Sequence, residues 1–262
     1  DELSVLEDES FKLIKKAQKL FYKKLDIDFN AIKRQFSFTT SLKEIREESF
    51  FSPEFSNPLY NDTLTALSKF KLMPLHEIVK PFNGAEVGSE NYSLYTDKTD
   101  SDIPFIRTSD IVNYEVDNYP DFFIPDEIFQ ELNQDLQPSD ILFSKDGSIG
   151  NVAMITKSDK VIVSSGFSVL RVKKGSEIDP YYIFCALSLP EIGDYQAKKR
   201  TVIASTIPHL RPDNLFKLKI PILPKNNRDE ISEILKIAFE KKASRKELLD
   251  RIKIELESEF EI

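Results

Sequence analysis

A helix over residues 228–260, entered after Asn227, cannot stand alone. At about 1.5 Å per residue it runs about 50 Å, too far for one small domain to cover. Ile231, Leu235, Ala238, Leu249, Ile252 and Leu256 approximate a 3.5-residue repeat, which Lys242 and Arg245 interrupt midway. Such a stripe pairs with another helix. One candidate is residues 3–25 of the same chain, where Phe11, Ile14, Phe21 and Leu25 lie near one face and Lys12, Lys15, Lys16 and Lys19 on others. The others are a second copy of the chain and the long helices of a different subunit.

Between these helices the pattern changes to short apolar runs. Ile141, Leu142 and Phe143 read as a buried strand, and Val152 to Ile155 as a second. The segment Ser144-Lys145-Asp146-Gly147-Ser148-Ile149-Gly150 joins them. Asp-Gly is a tight-turn signal because glycine accepts positive φ, and Gly150 permits close backbone approach, so the two runs form a hairpin. Further strands are expected over residues 103–106, 161–163, 169–170 and 217–224. An alternating stretch within residues 34–45 (Phe36, Phe38, Thr40, Leu42) suits a half-buried strand. Pro53 and Pro58 break the following segment, which Phe50, Phe51 and Phe55 pin to the core. Asn57 or Asn61 opens a helix to about Lys69, a short helix over residues 126–132 follows Pro125, and Asp179 with Pro180 opens another. A further helix after Pro190 leads to Lys198-Lys199-Arg200. Residues 201–209, TVIASTIPH, read as a polar loop. Long loop material with Tyr92 and Tyr95 fills the region up to Asp102.

Composition narrows the class. No apolar run approaches a membrane span, and the first 30 residues are too charged for a signal peptide, so the chain is expected in the cytoplasm. The lone Cys185 agrees with a reducing compartment and reads as a buried structural thiol. One Cys and two distant His, His76 and His209, cannot assemble a metal site. No Gly-rich cofactor loop follows a strand, no adenine-methylation motif occurs and no nuclease cluster stands out, so neither cofactor nor catalysis is expected. The chain begins at Asp1 without an initiator Met, as a fragment of a longer protein would.

The phrases IPFIRTSDI, SDILFSKDGSIGNVA, VSSGFSVLRVK, DPYYIFCAL and STIPHLRPDNLFKLKIPILP, in this order and spacing, resemble the target recognition domain of a type I restriction-modification specificity subunit. The likeness covers residues 72–224 well and the terminal helices loosely. The same module occurs fused to the carboxyl end of adenine-N6 DNA methyltransferases. The resemblance implies an α+β fold, with a mixed, mainly antiparallel sheet domain, a long carboxyl-terminal spacer helix and an amino-terminal helix. The corresponding division is 1–33 (helix and linker), 34–224 (recognition domain) and 225–262 (spacer helix). It implies a non-catalytic, sequence-specific reader of double-stranded DNA that docks on a methyltransferase (modification) subunit, and through it meets a restriction subunit. A homodimer through the terminal helices is the further option. Two other readings stand beside it: the recognition module of a fused methyltransferase, and a helix-mediated adaptor that no longer binds DNA.

A net charge of −8 runs against DNA binding unless the charge is segregated. It is segregated in the sequence, since acid concentrates in residues 97–135, while Lys198-Lys199-Arg200, Arg171 with Lys173 and Lys174, and Lys217 with Lys219 form basic clusters. The candidate DNA contacts are Arg107 and Thr108, whose guanidinium fork and hydroxyl suit base edges or phosphate. Lys145, Asp146 and Ser148 follow on the hairpin tip, and Ser164 and Ser165 beside Gly166. Lys198, Lys199 and Arg200 are expected at phosphates, and Ser205, Thr206, His209 and Arg211 complete the set. The competing reading for Arg107 is an internal salt bridge to Asp110, and for Ser205 to Arg211 local capping by Asp213.

Overall fold

The computed structural model describes residues 2–48, 52–85, 103–204 and 207–260. The two terminal helices find each other. Helix α1 (Glu2–Leu25) buries Ile14, Ala17, Phe21 and Leu25 in one core cluster with Ile231, Leu235, Ala238 and Phe239 of the long carboxyl-terminal helix, Lys225–Phe260. Their ion pairs, Lys24–Glu230 at 3.5 Å and Lys241–Glu9 at 2.7 Å, fix an antiparallel arrangement. The partner of the first half of the apolar stripe, Ile231, Leu235 and Ala238, is therefore the same chain. Toward its far end the long helix has Ile254 and Leu256 exposed.

After a 3₁₀ turn at Phe29–Ala31, residues 34–41 contain no strand. Phe36 is 98% exposed, so the alternation of Phe36 and Phe38 has no sheet to join, and the chain instead enters helix α2 (Leu42–Glu48). Phe50 and Phe51 lie outside the described residues. The two prolines start helices rather than ending them: α3 (Pro53–Ser56) and α4 (Pro58–Leu67) each carry proline in the first turn, where its missing N–H costs nothing. Asn57 caps α4 by accepting from Leu59 N.

The chain then runs β1 (Lys71–Pro74), α5 (Leu75–Ile78), β2 (Val79–Asn83), β3 (Ile103–Ile106), β4 (Ile111–Val112), β5 (Glu115–Val116), β6 (Phe123–Ile124), α6 (Asp126–Leu132), β7 (Ile141–Ser144), β8 (Val152–Met154), β9 (Ile162–Val163) and β10 (Phe167–Val172). It closes with α7 (Pro180–Leu187), α8 (Asp194–Lys199), β11 (Val202–Ala204), β12 (Ile207–His209), α9 (Pro212–Leu215), β13 (Lys219–Ile222) and α10 (Lys225–Phe260). Tyr92 and Tyr95 fall outside the described residues. The main sheet has the order β2-β10-β7-β8, antiparallel throughout, and the expected hairpin is present, pairing Ile141 with Met154 and Phe143 with Val152. A second sheet, β6-β3-β9, contains the parallel pair β3 with β9, and β1 pairs antiparallel with β13. The fold is α+β with mainly antiparallel pairing. Residues 201–209 are not a plain loop: β11 and β12 pair as a hairpin, Val202 with His209. Helix α10 starts at Lys225, so Asn227 lies inside its first turn rather than at its cap.

Helix α7 is the wedge between the sheets and the terminal helices. All its residues from Tyr182 to Leu187 are buried, as the apolar run requires. Tyr182 stacks on Phe21 at 5.1 Å and donates to Pro221 O, joining α1, α7 and β13. Cys185 lies within this core, and burial pushes its thiol pKa up, as suits an inert structural role. Among the described residues no helix is long and apolar enough to cross a membrane.

Candidate nucleic-acid interface

The hairpin tip between β7 and β8 is closed on itself and tied to its neighbours. Ser144 N donates to Asn151 O, and Gly150 N donates back to Ser144 O. Gly147 and Gly150 take φ of +69° and +92°, conformations that an L side chain resists. Three backbone bonds then fix the tip in space: Lys145 N to Gly166 O at 2.8 Å, Gly147 N to Pro208 O at 3.1 Å and Leu210 N to Lys145 O at 2.8 Å. The first reaches the turn between β9 and β10, the others the strand β12. The turn after β3 arrives from a fourth direction. A Cβ built on Gly166 would stand 2.9 Å from Thr108 Cγ2, 3.4 Å from Ser164 Oγ and 4.0 Å from Asp146 Cβ. Thr108, Asp146, Ser164 and His209, far apart in sequence, therefore meet around one glycine and one bridge.

Charge within this cluster is arranged in two ways. Asp146 bonds the imidazole Nδ1 of His209, and the two residues also pair as an isolated antiparallel bridge. Lys145 is almost fully buried, with its Nζ 3.6 Å from Asp146 Oδ2. Ser148 and Gly147 are exposed at the tip, Ser165 is half-buried, and Ser164 is buried with its N–H donating to Ile106 O. Arg107 points its guanidinium into the chain. It donates to Asp110 through Nε and Nη2, both at 3.2 Å, and to Asp121 at 2.9 Å, and it lies over the Phe122 ring at 4.2 Å. Burial works against its charge, but the bonds and attraction of the two carboxylates together outweigh this and raise its pKa.

The basic clusters separate likewise. Arg171 is held by Asp140 and Asp135, and Lys173 donates to the carbonyls of His76 and Glu77. Lys199 is buried, donating to Asn61 Oδ1 at 2.5 Å with its ammonium over the Phe55 ring. Arg200 also lies over Phe55. Lys198 is exposed and pairs with Asp194 at 2.7 Å, and Lys217 and Arg211 are exposed. Ser205 and Thr206 lie outside the described residues.

Beside the hairpin tip opens a cleft of about 800 Å³, lined among others by Arg34, Tyr60, Gly147, Lys198, Thr201 and Arg211. The sequence reading did not single out Arg34, Tyr60 or Thr201. Arg34 reaches the cleft because Glu54 holds it at 2.6 Å, and Glu54 also accepts from the Tyr60 hydroxyl at 2.8 Å. Only the packing of α3 and α4 brings these residues beside residues 145–150, and no local pattern announces it. Among the described residues no group of three or more His, Cys, Asp or Glu side chains is placed to hold a metal ion.

The family model described as type I restriction modification DNA specificity domain matches residues 67–254. No curated protein matches the chain. Among solved structures, the HsdS subunit from Thermoanaerobacter tengcongensis is 13% identical with a TM-score of 0.44, over 94% of this chain and 50% of its own. A type I restriction-modification system S subunit from M. genitalium is 16% identical with a TM-score of 0.43, over 96% of this chain and 56% of its own. A third structure, from work on assembly and conformational transition of the type I R-M system, is 15% identical with a TM-score of 0.44 over 84% of this chain and 53% of its own. The chain spans about half the length of the solved structures it matches.

Proposed function

Because the chain belongs to the type I restriction-modification DNA specificity domain family, we propose that it reads one part of a double-stranded DNA target through the loop cluster around Gly166 and carries out no chemistry itself. The observation that carries this reading is the convergence of Thr108, Asp146, Ser164 and His209 from four separate stretches onto one partly open surface beside the exposed hairpin tip. Loops on a rigid scaffold are where recognition groups are presented. In this reading Thr108, Asp146, Ser148, Ser165 and His209 face base edges, and the buried Ser164 supports them from behind. Lys198 and Arg211, along the adjoining cleft, and Arg200 next to Lys198 take phosphates. Arg107, Lys145 and Lys199, whose charges already have partners in the chain, hold the loops in place.

Residues 34–224 then act as the recognition domain, set between residues 1–33 and residues 225–262, the stretch that carries α10. A methyltransferase (modification) subunit docks on the helical side and brings a restriction subunit indirectly, in the cytoplasm. The exposed Ile254 and Leu256 on α10 suit such docking, and suit a second copy of the chain equally.

The test is selection from a randomised duplex library by the purified chain, alone and with its cognate methyltransferase subunit, at two salt concentrations. Enrichment of a motif of about three to five base pairs, with affinity falling steeply with salt, is expected. No enrichment in either condition overturns the reading.

A further inference from the structure

We propose that Asp146 and His209 form one base-reading unit: Asp146 positions the imidazole, and His209 Nε2 accepts a hydrogen bond from an exocyclic amine on a base edge, adenine N6 or cytosine N4. This rests on the DNA-reading function above and names the chemistry that one contact selects.

The backbone carries both side chains to one place. Asp146 and His209 face each other as an antiparallel bridge, with Gly147 N bonded to Pro208 O and Leu210 N bonded to Lys145 O on either side of it. Neither residue can shift without breaking one of those bonds. Their side chains then meet through His209 Nδ1 and Asp146 Oδ1. A carboxylate only accepts, so Nδ1 is the nitrogen that carries the proton. In the neutral ring the other nitrogen, Nε2, is left as an acceptor. It has no partner among the described residues, and the side chain is 41% exposed. The Lys145 ammonium, 3.6 Å from the second carboxylate oxygen, balances the charge of Asp146, so the unit does not need an imidazolium for neutrality.

An acceptor at this surface discriminates among base pairs. In the major groove adenine N6 and cytosine N4 are donors, whereas guanine O6 and N7 and thymine O4 are acceptors. Nε2 therefore favours A or C at one position of the site and opposes G or T.

The experiment is library selection with the full chain, using the wild type, His209→Ala, His209→Gln and Asp146→Ala. The expected result is a motif with one position at which the strand facing His209 carries A or C. His209→Ala reduces that preference about tenfold at that position alone. Asp146→Ala weakens the same position by freeing the ring. His209→Gln, whose amide oxygen accepts, restores part of it. That rescue by a second acceptor is a response that a merely structural histidine would not give. A motif unchanged by His209→Ala or a uniform loss across all positions overturns the proposal while leaving DNA reading intact. A wild type that enriches nothing overturns both.

Discussion

Buried charge serves two different ends in this molecule. Where α10 crosses the strands and loops of the β-rich part, the side chains of Lys242, Lys246, Glu115 and Asp159 are 1%, 6%, 6% and 0% exposed. Lys242 donates to Glu115 at 2.8 Å, Arg245 to the same oxygen at 3.2 Å, and Lys246 to Asp159 at 2.6 Å and to Val116 O at 2.7 Å. In the loop cluster, Asp146 and His209 are 32% and 41% exposed and one ring nitrogen is free among the described residues. The first set has its partners inside the chain and sets how the long helix sits. The second is held from behind and open in front, as a recognition group must be. Charges that interrupt an apolar stripe, as Lys242 and Arg245 do, mark a docking angle. Charges that cap a set of converging loops mark a surface for a partner.

The strongest way to break this contrast is Glu115→Ala. The carboxylate answers three cations, and Lys246 Nζ stands 3.7 Å from its second oxygen. Its removal leaves Lys242 buried, and Arg245 half-buried, without that counter-charge, which costs about 3–5 kcal/mol of folding free energy. Denaturant unfolding measures the loss. The base preference of whatever remains folded should be unchanged, since residue 115 lies outside the loop cluster. A changed motif would show that the two regions are not separable.

Gly84→Ala probes the junction from the other side. Its Cβ would stand 1.8 Å from the backbone oxygen of Ser164, which no rotamer change relieves. Either β2 or the turn before Gly166 must move. A cost of about 1–3 kcal/mol is expected, and here DNA affinity should fall along with stability, because the turn that moves carries Ser164 and Gly166. Loss of stability with an unaltered motif and affinity would place that turn away from the DNA.

How far such positions can be read in advance depends on how local their causes are. The β7–β8 hairpin was legible from two apolar runs and one Asp-Gly, and α7 from the cap at Asp179 and Pro180, because each signal sits inside the element it specifies. The strand expected around Phe36 and Phe38 failed because alternation needs a partner strand, and none comes. Thr108, Asp146, Ser164 and His209 were each flagged as candidates, but their meeting was not legible. It depends on bonds from Lys145 to Gly166 and Leu210 that span the fold. For Arg107 the partner three residues on, Asp110, was visible as a rival reading. The second partner, Asp121, was not, since only the turn between β5 and β6 brings it within 2.9 Å.

A milder perturbation is alkali, which strikes phenols that hold the scaffold together rather than the Asp146–His209 pair. Tyr119 donates to Asp250 on α10, Tyr22 to Glu191 and Tyr60 to Glu54. Burial first, and then the neighbouring carboxylate, raises each phenol above its ordinary value of 10.0. A group whose folded pKa lies above its unfolded one contributes stability that is complete below the unfolded value and is lost as pH rises through the folded one. Stability should therefore decline above about pH 10. Lys242 has the opposite sign: burial lowers its pKa against the pull of Glu115, so its contribution improves as pH climbs toward the lysine range. Unfolding midpoints measured from neutral pH upward should rise slightly or hold level, then fall. Tyr119→Phe should remove about 1 kcal/mol of stability near neutrality and soften that fall.

The finest form of the contrast lies between two adjacent lysines. Lys198 is exposed beside the cleft and pairs with Asp194, while Lys199 is buried against Asn61 and Phe55. Lys199 joins α8 to α3 and α4, and so fixes the wall that carries Glu54, Tyr60 and Arg34. Lys198→Ala should leave stability within about 0.5 kcal/mol. If Lys198 meets a phosphate, the slope of log affinity against log salt drops by about one, with the motif intact. Lys199→Ala should leave the slope alone and lower the unfolding midpoint, since what it removes is the tie between two helices. Identical effects from both would mean that burial does not divide scaffold from surface here. Opposite effects would show that two residues of the same type, one position apart, are assigned to holding and to binding by nothing more than which side of α8 they occupy.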